Sequence, residues 1–70
     1  MTPRLAVVIR VRGPISQRMA AAFEGLTPVP RGCDTELAGE VVDQAELFGL
    51  LARVRDLGLP LESVIVHEAP

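Results

Sequence analysis

The sequence predicts an α+β domain in which two helices cover one face of a four-stranded antiparallel sheet. Three observations point there. Strand-like and helix-like patterns follow one another in the order β-α-β-β-α-β, and within each the apolar residues fall on one side. Two prolines, Pro28 and Pro30, sit in the one strand that this order consigns to a sheet edge.

The first strand is read from "RLAVVIRVRG", Arg4 to Gly13, which is rich in β-branched residues and closes on Gly-Pro. Its alternation puts Leu5, Val7, Ile9 and Val11 on one face and Ala6, Val8, Arg10 and Arg12 on the other. In "PISQRMAAAFEG" Ser16 suits an N-cap and Gly25 a left-handed C-cap, predicting a helix of about two turns. Its buried stripe is Ile15, Met19, Ala22, Phe23 and Leu26. "LTPVPRGCDTELAGEVV" predicts two strands about a turn at "RGCD". In the second, Leu37 and Val41 oppose Glu36, Ala38 and Glu40, and Gly39 marks a bulge or a close backbone approach.

"DQAELFGLLARVRDLGLPL" predicts the second helix. Asp43 with Glu46 three residues on makes a capping box, and Gly58 with Pro60 ends the helix. Leu47, Leu50, Leu51, Val54 and Leu57 form its apolar face. "ESVIVHE" then makes a last strand, with Val64 and Val66 facing away from Ser63, Ile65 and His67. This order, with right-handed crossovers, is the ferredoxin-like βαββαβ two-layer sandwich, whose sheet runs 4-1-3-2 with both helices on one side.

Length and composition bound what such a chain does. Seventy residues make a single domain, residues 1–70, with a thin core for which association is a common remedy. Cys33 is the only cysteine, which excludes a disulfide framework and suits a reducing cytoplasm. Met1 followed by "TPR" lacks the pattern of a cleaved signal, so a complete cytoplasmic chain is expected. "LAVVI" is too short to span a membrane. The net charge is −2 and all seven basic residues are arginine, with no basic stripe for nucleic acid.

Functional candidates gather on the sheet face opposite the helices. Val8, Ala38 and Ile65 form an apolar centre there, bordered by Arg10, Arg12, Glu36, Glu40 and His67. An apolar patch rimmed by charge suits either a dimer interface or a small anionic ligand. A second candidate lies on the outer side of the second helix. Gly49 costs about 1 kcal/mol of helix stability relative to alanine, and it falls with Ala45 and Ala52 away from the core. With Gln44 and Phe48 beside it, that strip is a candidate contact for a protein partner.

The stretch "DTELAGEVVDQAELFGLLARVRDLGLPLESV" resembles a family of small uncharacterised bacterial proteins. Their pattern runs D-T-x-L-x-G-x-V-x-D-Q-A-x-L-H-G-L-L, followed by R-D-L-G-L. Asp34, Thr35, Leu37, Gly39, Val41, Asp43, Gln44, Ala45, Leu47, Gly49, Leu50, Leu51 and residues 55–59 match it. "RVRG", Ser16 and "FEGLT" extend the resemblance loosely into the first half. It implies no activity or cofactor. Phe48 stands where the family usually has histidine, so any chemistry of that histidine is missing here.

Other chemistries of this topology are excluded by composition. One cysteine cannot supply a C-x-x-C metal loop, and the open face lacks aromatics for stacking bases. "VRGPISQR" has a passing likeness to the acylphosphatase phosphate loop, but the chain has no asparagine and no glycine follows the Gln. No metal and no cofactor is therefore expected. The expected function is a homodimeric accessory or interaction module without activity of its own. The alternatives place a site at a dimer interface. One is a small α+β-barrel enzyme (isomerase, cyclase or cofactor-free oxygenase) with His67 as acid/base and Arg10 or Arg12 holding an anion. The other is an ACT-like binder of a small metabolite.

Overall fold

The computed structural model describes residues 3–69; Met1 and Thr2, on which the reading of the amino terminus partly rests, lie outside them. Its elements are β1 (Leu5–Val11), α1 (Gln17–Ala20), β2 (Leu26–Arg31), β3 (Asp34–Val41), α2 (Gln44–Asp56) and β4 (Leu61–Glu68). All neighbouring strands are antiparallel, and the order across the sheet is β2-β3-β1-β4, which runs 4-1-3-2 when counted from the β4 edge. The proline-bearing β2 is thus an edge strand, where a missing N–H breaks no ladder.

One face of this sheet carries the core. Val7, Ile9 and Val11 of β1 meet Leu37 and Val41 of β3, and Phe23, Leu26, Leu47, Leu50 and Val54 close over them. Each fully buried side chain of this size contributes roughly 1.5–3 kcal/mol. Most of the set is what the strand alternation and helix spacing select, but Leu5, Ile15, Met19, Ala22, Leu51 and Val64 are only half-buried, and Leu57 and Val66 are exposed.

The caps of α2 account for its length. The Asp43 carboxylate accepts from the Glu46 N–H at 2.9 Å, and Glu46 accepts in return from the Val42 N–H at 2.9 Å, one residue before the usual partner. At the far end Gly58 takes φ +70°, and the N–H groups of Gly58 and Leu59 return to the carbonyls of Arg55 and Val54. That is the Schellman arrangement, which only a residue tolerant of positive φ completes without strain.

α1 departs from the expected two turns. It is a single turn, with Ser16 as N-cap accepting from the Met19 N–H at 3.1 Å. After Ala20 the hydrogen bonds tighten: Ala22 donates to Met19 and Phe23 to Ala20, each three residues back. Gly25, at φ +89°, turns the chain into β2 and is not the helix C-cap; that position belongs to Ala21. The tightening carries Phe23 wholly into the core, and a regular second turn gives way to it.

Gly39 resolves to a close approach, since the β2–β3 register runs through it without a shift. A Cβ there would stand 2.5 Å from the Gly25 carbonyl oxygen and 2.9 Å from Leu26 Cδ2. The one bulge in the sheet is in β4: Arg10 faces Ser63 but Val11 faces Leu61, so Glu62 is the extra residue.

Candidate functional site

The pairing registers arrange the open face in rows across the strands. Thr27, Ala38, Val8 and Ile65 make the central row, so the expected apolar centre is brought together. On one side lies the row Val29, Glu36, Arg10 and Ser63, and on the other Glu40, Ala6 and His67.

Charge is concentrated at the Arg10 end. Its guanidinium reaches Asp34 at 3.2 Å, Glu36 at 3.5 Å and Glu62 at 3.9 Å. Arg12 meets the same Glu62 at 4.0 Å, and Arg31 meets Glu36 at 3.0 Å. Arg10–Glu36 is a direct cross-strand pair and Arg10–Asp34 a diagonal one. Glu62 joins through the bulge, which adds a residue on β4 opposite Arg10.

Asp34 does the most. It accepts from the Gly13 N–H and from Arg10, both at 3.2 Å, while Thr35 Oγ1 donates to the Gly13 carbonyl at 2.9 Å. Asp34 and Thr35 thereby clip the chain leaving β1 onto the start of β3. The Gly13 N–H and then the Arg10 guanidinium favour the ionised carboxyl, lowering the Asp34 pKa below the ordinary carboxylate value. The bond to Asp34 raises Arg10 in turn. Arg10 Nε, though buried, lacks a hydrogen-bond partner among the described residues; Glu62 offers it only Coulombic attraction at 3.9 Å.

The expected neighbours of His67 are not assembled around it. His67 stands opposite Ala6, with Glu40 beyond. It lies two rows from Arg10, about 13 Å along the strand at roughly 3.3 Å per residue. Asp34 and Glu62 are the important residues that the sequence reading left unassigned on this face. The turn expected at "RGCD" includes Asp34, whereas the hairpin's two-residue length, Gly32–Cys33, places it on β3.

The α2 strip is divided. Gly49 opens into a shallow hollow of about 450 Å³ with Glu24, Gly25, Glu46, Leu50 and Arg53, whose Nη1 donates to the Ala22 carbonyl. Gln44 lines a different hollow with Glu68, on the β4 side of the helix. Phe48 is one turn on from Gln44, hence on that same flank, and is 64% exposed. Ala52 is half-buried. Gly49 and Phe48 therefore serve different surfaces.

β4 is exposed along nearly its whole length. Among the described residues the exposed large hydrophobics are Val42, Phe48, Leu57, Leu61, Ile65 and Val66. Three of these lie on β4, and Phe48 is on the α2 flank beside it. The described residues contain no cluster suited to a metal ion, and no described helix is long and apolar enough to cross a membrane.

Residues 6–65 match a family described as a domain of unknown function, DUF8691. The chain belongs to that family. No curated protein and no solved structure matches the chain significantly.

Proposed function

We propose that this member of the DUF8691 family is a small ferredoxin-like interaction module, acting as a homodimer in the cytoplasm and without catalysis of its own. The observation that carries the reading is the exposure of Leu61, Ile65 and Val66 along the β4 edge, Ile65 on the open face and Val66 on the helix side, with Phe48 exposed on α2. Exposed apolar surface concentrated in this way is characteristic of protein contact surfaces. The ferredoxin-like assignment rests on the element order, the antiparallel strand order and the packing of α2, with Ile15, Ala22 and Phe23 flanking α1, over one face.

The enzyme alternative draws less support. It asks Arg10 or Arg12 to hold an anion near His67. Arg10 is engaged by three carboxylates, Arg12 shares Glu62, and His67 lies two rows away. An anion would have to displace partners already in place.

Light scattering over a dilution series into the low micromolar range tests the proposal. A mass of twice 7.5 kDa that persists on dilution is the expected result. A 7.5 kDa species at every concentration overturns it.

A further inference from the structure

We propose that two copies of this chain join edge to edge through β4, with a two-fold axis at Ile65, making one continuous eight-stranded sheet. This rests on the homodimer reading and names its interface. The outer side of β4 has no neighbouring strand, and its residues are exposed on both faces apart from half-buried Val64. A long edge strand of this kind presents unpaired N–H and C=O groups and is a template for another strand.

The sequence of the edge selects its partner. "ESVIVHE", Glu62 to Glu68, reads almost the same in both directions. Antiparallel pairing of a strand with its own copy, about an axis normal to the sheet, sets each residue against its mirror position. Centred on Ile65, this puts Ile65 against Ile65, Val64 against Val66 twice, and Ser63 against His67 twice. Moving the centre to Val64 sets Ser63 against Ile65 and the Glu62 carboxylate against Val66. Moving it to Val66 sets Val64 against the Glu68 carboxylate. Only the Ile65 register matches apolar with apolar on both faces.

Further features fit this arrangement. The bulge at Glu62 interrupts regular pairing and bounds the usable segment on its amino-terminal side. Glu62 would come near the partner's Glu68, but its charge is already offset by Arg10 and Arg12. On the helix side, each copy offers an exposed Phe48 on the flank of α2 away from the Gly49 hollow. The opposite edge, β2, carries Pro28 and Pro30 and cannot propagate the sheet. Association therefore closes at two copies and does not run on into a fibre.

Cysteine cross-linking in a Cys33→Ser background tests the register, with light scattering run on the same samples. Ile65→Cys should form a disulfide with its own copy under mild oxidation, because directly paired residues lie within disulfide reach. Gly49→Cys should not. Hydrogen exchange on the unmodified chain gives a second readout: alternate amides of residues 63–67 should gain protection as concentration rises. A dimer by mass that shows neither the Ile65→Cys cross-link nor this protection overturns the β4 interface and leaves the homodimer reading standing. A dimer cross-linked through Gly49→Cys does the same. A monomer by mass at every concentration overturns both.

Discussion

A methyl group added at Gly39 would lie 2.5 Å from the Gly25 carbonyl oxygen, whereas one added at Gly49 would meet nothing within 4 Å. The same residue type is required at one position for close backbone approach and is tolerated at the other. Gly39→Ala should lower stability by about 1–3 kcal/mol, as overpacking does, measured by urea unfolding. Gly49→Leu should leave both solution mass and melting temperature no worse than in the unmodified chain; a drop in either would mark a close-packed partner at the α1 side of α2. Asp34 makes the stability sensitive to acid. Its folded pKa is depressed by the Gly13 N–H and Arg10, so its contribution is fully present above the unfolded carboxylate value, about 3.9. The contribution is lost as pH falls through the lower folded value. Urea titrations from pH 6 to pH 2 should show this decline, and Asp34→Asn should flatten it while lowering stability at neutral pH.

At the scale of elements, the two helices differ in how they are held. α2 has thirteen residues, reciprocal capping at its start and a Schellman close at its end. Asp43→Ala should cost about 1 kcal/mol by chemical denaturation, the usual worth of such a cap. Four-residue α1 is too short to persist by its own hydrogen bonds and is kept by Phe23 and Leu26 in the core. The elements were legible because their signals are local: the alternation of β1, the Asp43–Glu46 spacing and Gly58–Pro60 can be read within one or two turns of chain. The length of α1 was not, because Ser16 and Gly25 bracket a span that local propensity would fill with helix. Burial of Phe23 tightened it instead.

For the whole molecule, the one-sided helix layer is the governing feature. α2 packs over the core through Leu47, Leu50 and Val54, and of β4 only Val64 is half-buried against it. Replacing Ile65 with lysine places a charge at the centre of the proposed edge contact, facing its own copy. Ile65→Lys should halve the mass seen by light scattering while the far-ultraviolet circular dichroism stays that of the folded chain. A dimer unaffected by that change would place the contact on another face.

The sequence by itself determined the element order, the alternation of each strand, the N-caps of both helices, the close of α2 and the edge position of the proline strand. These follow from side-chain periodicity and backbone chemistry, which act over a few residues and are written in consecutive positions. The tertiary structure alone decided which charges meet and which surface stays bare. Arg10 found Asp34 and Glu62 through a two-residue hairpin turn and a one-residue bulge, and His67 was set apart from it by the same register. The docking of α2 beside Glu24 and Gly25 decided that Gly49 opens into a hollow there, away from Phe48. Such outcomes depend on how strands stagger and where a helix comes to rest, quantities that no short stretch of sequence encodes.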